Sequence, residues 1–217
     1  SLGLVGSEMC IRDRANMELL LNRTSPYARI ARIVALEKGC ADKLVLVWSD
    51  PWNDDARLLQ QNPVRRVPVL VTDDGYSITE SLLIALYLDK IGSGETLLPP
   101  ERYADTLQLT GWAQGLIDAA FTTMITRKHH GKEIDDSVLG QRRLQAIART
   151  LPVLNAAYAT SLSASGSLTL ADIVVAVALD YIAFRLPEVE WQSKYPSLVA
   201  LRARMLLRDS FSSTVFS

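Results

Sequence analysis

Three short segments of this chain carry residue types that can do chemistry. The first is Thr24-Ser25-Pro26-Tyr27-Ala28-Arg29. Serine is a favoured N-cap and proline is favoured at the first helical position, so the segment predicts a helix start. A helix N-terminus presents free backbone N–H groups and the positive end of the dipole. A hydroxyl held there can donate a hydrogen bond to a thiolate, which lowers the pKa of a bound thiol and raises its nucleophilic fraction near neutral pH. The plain alternative is that Ser25 only caps the helix. The second segment is Asn62-Pro63-Val64-Arg65-Arg66-Val67-Pro68-Val69-Leu70. A proline that opens a strand cannot donate to the ladder and sits at an edge or a start. A cis Val67-Pro68 bond would turn the N–H and C=O of Val67 outward, where a peptide-like ligand can pair with them as an added strand does. An ordinary strand start also accounts for Pro68. The third is Thr79-Glu80-Ser81. The hydroxyl and N–H of Ser81 suit a carboxylate at a helix N-terminus, and Glu80 suits an ammonium group. A capped, acidic first turn is the structural alternative.

The elements that must position these segments follow from the pattern of apolar residues. Met17 to Leu21 is a short apolar run and predicts a buried strand. A helix follows from Pro26 to Lys38, with Ile30, Ile33, Val34 and Leu36 on its apolar face and Gly39 at its end. Lys43 to Trp48 predicts a second strand. Asp50 to Gln61 is polar, with a Pro-Trp-Asn turn and room for one helical stretch. Val67 to Thr72 predicts a third strand and Tyr76 to Ile78 a fourth, joined by the hairpin signal Asp73-Asp74-Gly75. A helix to about Ile91 follows Ser81. Two strands joined by a helix are expected to be parallel through a right-handed crossover, and the pair around Gly75 antiparallel. The first half is therefore a small mixed sheet with helices on its faces.

After the Gly- and Pro-rich linker Gly92 to Glu101, strand signals disappear. Arg102 to Lys128, Asp136 to Ser161, Ala171 to Leu186 and Pro196 to Leu207 read as helices, and Ser161 to Ser167 as a loop. Thr169-Leu170-Ala171-Asp172 is a capping box, with Leu168 and Ile173 placed for a hydrophobic staple. The helix it opens is apolar on nearly all faces and must lie in the middle of its domain. Asp172 is accordingly a cap and not a catalytic acid.

Bulk properties narrow the function. The 217 residues suffice for one large domain or two small ones. Apolar residues make up 48% and charged residues 22%, as in an ordinary globular protein. A net charge of -1 gives no footprint for nucleic acid or an anionic membrane surface. The longest apolar run, Ile173 to Leu179, is too short to cross a bilayer. Two distant cysteines, Cys10 and Cys40, exclude a disulfide framework and make the cytoplasm the default compartment. Adjacent His129 and His130 point in different directions on a helix and make a poor metal pair, so a solvent-exposed helix end is expected for them. Ser1 to Arg14 has no basic or apolar region of a signal peptide. Leu4 to Asp13 resembles the in-frame translation of a sequencing adapter. Residues 1–16 are expected to be a non-native or disordered leader, with a natural start near Met17.

The order and spacing of SPYAR, NPVRRVPVL and the later DDG and TES closely resemble the bacterial, Ser-type glutathione transferases. The resemblance covers Met17 to Ser217, and the capping box, the apolar helix, Tyr195-Pro196 and a final Arg-Asp-Ser-Phe fit it as well. It implies an α/β thioredoxin-like N-terminal domain over 17–93 that binds glutathione, plus an all-α C-terminal domain over 102–217. By that resemblance Glu80 and Ser81 hold the γ-glutamyl end. Val67, before a cis Pro68, pairs with the cysteinyl backbone, and Arg66 meets the glycyl carboxylate with a fork well suited to it. The thiol faces Ser25, with Thr24 as the neighbouring alternative; Tyr27 borders the thiol or packs under the helix. Arg65 stands where the family often has a glycine in an unusual backbone angle. The resemblance further implies glutathione as co-substrate, no metal, a cytoplasmic homodimer and a role in detoxification. The implied reaction is conjugation of the glutathione thiolate to a small, mostly apolar electrophile held between the domains. Trp112, Phe121 and Met124 are candidate wall residues. Isomerase or dehalogenase chemistry at the same site is an alternative. So is thiol–disulfide or peroxide reduction, which usually wants a cysteine where Ser25 stands. A non-enzymatic interaction module on the same fold is the last.

Overall fold

The computed structural model describes residues 16–160 and 166–217. Residues 1–15 of the expected leader, Cys10 included, and residues 161–165 of the expected loop lie outside them. The first strand, β1 (Met17–Leu21), is apolar almost throughout because both of its faces are covered. Its side chains alternate between two clusters, as the period of a strand requires. Leu19 and Leu21 join the main core, and Leu20 joins a smaller one with Leu58, Val67 and Val69.

Helix α1 (Pro26–Glu37) carries the chain from β1 to β2 (Leu44–Trp48), which pairs with β1 in parallel. It ends one residue sooner than the sequence suggests. Lys38 is its C-cap, and Gly39 takes the left-handed conformation at φ +64° that favours glycine there. The polar segment after β2 contains α2 (Ala56–Gln61), whose Leu58 covers the smaller core. β3 (Val69–Val71) pairs antiparallel with β1, and β4 (Ser77–Thr79) pairs antiparallel with β3, giving the order β2-β1-β3-β4. The turn between them places Gly75 at φ +91°. β3 is shorter than the expected Val67–Thr72, since Pro68 has no N–H to offer a ladder. α3 (Ser81–Ile91) then packs beside α1.

Beyond the linker all elements are helical among the described residues. The α-helices are α4 (Tyr103–His130), α5 (Val138–Ala159), α6 (Leu170–Arg185), α7 (Pro196–Leu206) and the four-residue α8 (Asp209–Ser212), which the sequence pattern does not announce; a short 3-10 turn, Lys132–Asp136, joins α4 to α5. α6 lies at the centre, with every residue from Leu170 to Ile182 buried. Its capping box is formed: the Thr169 N–H donates to Asp172 Oδ2 at 2.9 Å, and the Asp172 N–H donates to Thr169 Oγ1 at 3.3 Å. Asp172 also accepts from the buried Tyr158 hydroxyl at 3.0 Å, which confirms a structural role.

The two halves are joined through α1. The guanidinium of Arg29 meets Asp180 of α6 at 2.7 Å, with side chains 3% and 8% exposed. It also donates to the Phe211 carbonyl and to Thr214, each at 3.3 Å. Arg202 of α7 donates to the other Asp180 oxygen at 2.5 Å. At the far end of α1, Glu37 accepts two bonds of 2.8 Å from Arg208.

Candidate functional site

Strand register alone brings the three chemistry-bearing segments together. Leu20 of β1 faces Val69 of β3, and Val69 faces Thr79 of β4. Both pairings are antiparallel. The C-terminal end of β1, the start of β3 and the end of β4 therefore share one end of the sheet. The Thr24–Ser25 loop leaves the first, Val67-Pro68 precedes the second and Glu80-Ser81 follows the third.

Ser25 is the N-cap of α1, as its sequence context predicts. Its N–H donates to Asn22 Oδ1 at 2.9 Å, and its Oγ accepts the Ala28 N–H at 3.1 Å. Accepting one bond leaves the hydroxyl proton available to donate, so capping and thiolate stabilisation are compatible at this side chain. Thr24 beside it is half-buried. Tyr27 turns away toward the helical domain, where its hydroxyl donates to Asp118 of α4 at 2.6 Å and its ring meets Phe121 edge-on at 5.6 Å. Burial, reinforced by Asp118, pushes the phenol far above its usual value of 10.0. The phenol therefore stays protonated, and its proton is committed to Asp118.

The Val67-Pro68 bond is cis. Among the described residues the Val67 N–H and C=O enter no turn or loop hydrogen bond. The loop before it is built by Asn62, a buried residue whose Nδ2 donates to the Arg66 carbonyl at 2.9 Å and whose Oδ1 accepts the Val64 N–H at 3.2 Å. Arg65 sits at φ +53°, the left-handed angle expected where relatives carry glycine, and its guanidinium pairs with Asp54. Arg66 is exposed, and its charge reaches Tyr27. Glu80 is the N-cap of α3 at φ +67°, exposed and without a side-chain cap bond, while Ser81 is buried at the first helical position. Two non-glycine residues at positive φ thus flank the segment ends that meet at the sheet, and such outliers concentrate at binding sites.

The helical wall differs in part from expectation. Phe121 and Met124 pack against the core, and Phe121 meets the Tyr27 ring. Trp112 lies nine residues before Phe121, which at about 100° per residue puts it on the opposite side of α4. It lies about 120° around the helix from Met124, so it does not line up with the Phe121 side. The indole of Trp52, in the segment after β2, instead meets the His129 ring at 5.1 Å, at the exposed end of α4. Cys40 lies at the other end of α1 from Ser25, buried, with its thiol pushed up by that burial. Sequence reasoning missed Asn22 and Asn62. Both precede a proline-containing turn, and the signal available was the tendency of asparagine to bond its own backbone a few residues on.

Residues 24–91 match the family described as Glutathione S-transferase, N-terminal domain, and residues 138–204 match Glutathione S-transferase, C-terminal domain. The chain is 30% identical over 201 residues to the uncharacterized GST-like protein YibF of Escherichia coli strain K12, covering 91% of this chain and 98% of that one. The chain belongs to the glutathione S-transferase family. It has the glutathione transferase fold, a mixed four-stranded thioredoxin-like domain followed by a helical domain. A glutathione S-transferase of Methylobacillus flagellatus KT, solved with GSH bound, matches it with a TM-score of 0.85 at 29% identity, over 93% of this chain and 100% of that one. A glutathione transferase family member of Pseudomonas fluorescens Pf-5, solved with bound glutathione, gives 0.82 at 30% identity over the same shares. Among the described residues of this transferase family member, no group of His, Cys, Asp and Glu is arranged to hold a metal ion.

Proposed function

We propose that this protein is a glutathione transferase that activates the glutathione thiol at Ser25 and transfers the thiolate to a small, mostly apolar electrophile. The observation that carries the reading is the convergence of Ser25, the cis Val67-Pro68 bond and Glu80-Ser81 at one end of the sheet, through the register Leu20–Val69–Thr79. Glutathione lies across that end. Its γ-glutamyl ammonium meets Glu80, its α-carboxylate meets Ser81 at the start of α3, and its cysteinyl backbone pairs with Val67. Arg66 serves the glycyl carboxylate. Ser25 donates its free proton to the sulfur while the α1 dipole favours the anion, so the thiolate fraction rises without a general base. Thr24 is the neighbouring candidate for the same role. Tyr27, Phe121 and Met124 border the electrophile. Residues 17–93 act as the glutathione-binding domain and 102–217 as the helical domain, in a cytoplasmic protein. Reductase chemistry finds little support, because Cys40 is buried and separated from Ser25 by the length of α1.

The same reading assigns a two-fold dimer. α3 exposes Leu83 and Leu86, and the start of α4 exposes Tyr103 and Leu107. A Cβ added at Gly111 or Gly115 of α4 would meet nothing within 4 Å, so a second copy has room to approach. In an isologous pairing the α3 face of one subunit covers the α4 face of the other.

The test is calorimetric titration with glutathione and S-methylglutathione. Binding is expected to weaken at least about tenfold in Glu80→Ala and Ser81→Ala, each of which removes a contact to a charged group. Ser25→Ala should bind glutathione but raise the pKa of the bound thiol, seen as lost thiolate absorbance near neutral pH. No heat with either ligand at millimolar concentration would overturn the proposal and leave a fold used for partner recognition. Light scattering tests the dimer, which Leu86→Asp should dissociate.

A further inference from the structure

Asp118 is a carboxylate of α4 that faces the glutathione-binding half. Its Oδ1 accepts the Tyr27 hydroxyl at 2.6 Å, and Tyr27 stands two residues beyond Ser25. The side chain is exposed, so a ligand can reach it. Its second oxygen enters no hydrogen bond or ion pair among the described residues. An exposed helical carboxylate gains from a lysine or arginine three or four residues away. Asp118 has none: those positions are Gln114, Gly115, Phe121 and Thr122. Lys128 and His129 come about three turns later, roughly 15 Å along the helix axis.

Two rings flank this carboxylate. Tyr27 and Phe121 meet edge-on at 5.6 Å with their planes at 74°, and both are half-buried. The faces of such rings carry partial negative charge, and the carboxylate beside them carries a full one. An aromatic corner of this kind attracts an organic cation and repels an anion. Across from it, Arg66 brings its charge to Tyr27 from the loop before Pro68. In the reading given above, Arg66 serves the glycyl carboxylate. Bound glutathione therefore takes up that cation and leaves Asp118 as the uncompensated charge of the corner.

We propose that Asp118 selects the electrophile by charge, so that the second substrate is a small apolar electrophile bearing a cationic nitrogen. The inference rests on the transferase reading. The nitrogen lies against the free Asp118 Oδ2 and the rings of Tyr27 and Phe121. The glutathione sulfur, its proton lost to solvent, attacks the electrophilic carbon. A carbon–sulfur bond forms, and the leaving group departs with the electron pair of the bond that breaks. The cationic nitrogen takes no part in these bond changes, and Asp118 acts on specificity alone.

The test compares three substrates with one leaving group: para-(chloromethyl)phenyltrimethylammonium, benzyl chloride and para-(chloromethyl)benzenesulfonate. Each rate is divided by that of its uncatalysed reaction with glutathione at the same pH. The full chain should use the cation at least about tenfold better in kcat/KM than the sulfonate, with neutral benzyl chloride between them. Asp118→Asn keeps an acceptor for Tyr27 but removes the charge, and should shrink that ratio by about tenfold, while Asp118→Glu should keep the order. Unreactive benzyltrimethylammonium, followed by calorimetry, should bind the glutathione-saturated chain more tightly than the free chain, and at least about fivefold more weakly in Asp118→Asn. Equal use of cation and sulfonate by the unaltered chain would overturn the proposal, and so would a charge preference or a cation affinity unmoved in a folded Asp118→Asn. The first comparison needs no variant, so a variant that does not fold leaves the test intact. If none of the chlorides is conjugated, the transferase reading fails instead, and the titration with benzyltrimethylammonium still decides whether Asp118 holds a cation.

Discussion

Replacing Asp180 with leucine is expected to cost far more than replacing Arg29 with methionine, although the two residues form one ion pair. Both side chains are almost completely buried at 2.7 Å. Removing one partner of such a pair typically costs about 3–5 kcal/mol, because the other charge is left without compensation in a poorly solvated place. Here the two losses differ. Without Arg29, Asp180 still receives Arg202 at 2.5 Å, so its charge stays satisfied and the loss falls to about 1–2 kcal/mol. Without Asp180, Arg29 keeps the Phe211 carbonyl at 3.3 Å and the Phe216 ring at 4.8 Å but has no anion, and it faces Arg202 across the vacated position. That variant should lose about 3–5 kcal/mol, roughly 6–20 °C in melting temperature for a chain of this size. The double variant Arg29→Met with Asp180→Leu should be more stable than Asp180→Leu alone. Urea unfolding followed by far-ultraviolet circular dichroism, at one fixed protein concentration, measures all three. A loss below about 1 kcal/mol in Asp180→Leu, or a loss no larger than that of Arg29→Met, would refute the reasoning.

Three further outcomes follow from the same contacts. The Glu37 carboxyl is held below its ordinary 4.5 chiefly by its hydrogen bond from Arg208, so it stabilises the fold above that pH and the contribution is lost as pH falls through the lower folded value. Glu37→Gln should therefore flatten the acid side of the stability profile as pH falls below about 5, measured by urea midpoints. Asp172→Ala should cost about 2–4 kcal/mol and Thr169→Ala about 1–2, since only the former also strands the buried Tyr158 hydroxyl; equal losses in denaturation would count against this. A Cβ at Gly92 would lie 2.5 Å from the Lys38 Cβ and 2.7 Å from its carbonyl, so Gly92→Ala should lower stability by about 1–3 kcal/mol in the same assay.

Local chemistry in the sequence carried most of the architecture. Ser25-Pro26 and Thr169 to Asp172 announce their helix starts because a cap is a contact between residues three apart. The apolar run of β1 and the Asp73-Asp74-Gly75 turn likewise fix two strands and their sense. What the sequence could not display is partnership over distance. Asp180 stands out as a charge in an apolar helix, but nothing near it names Arg29, 151 residues away, as its partner. α8 is too short to show a period, and its place depends on Glu37 holding Arg208 and Ser210. The side of α4 on which Trp112 lies was not legible, because an aromatic residue on a helix reads alike from either side until a neighbour such as Tyr27 fixes the orientation. Within the candidate site, Arg65 was legible as a misfit for its angle, whereas the positive φ of Glu80 has no sequence signal.

The Arg29 N–H closes the first turn of α1 on the Ser25 carbonyl at 3.1 Å, and the side chain of that same residue is bolted to α6. Ser25 is thus one turn of helix from a fixed anchor in the other half of the molecule. The aim of its hydroxyl is a tolerance set by the helical domain, much as the steadiness of a tool depends on the bench to which it is clamped. A chain ending at Ile91 would retain Ser25, Val67, Pro68, Glu80 and Ser81, and the bonds of Ser25 to Asn22 and Ala28, but not the Asp180 anchor of α1. With Ser25 in the role proposed for it, the helical half would contribute alignment, and changes far from the sheet, at Asp180 or Arg202, would reach the bound thiol as a blurring of position.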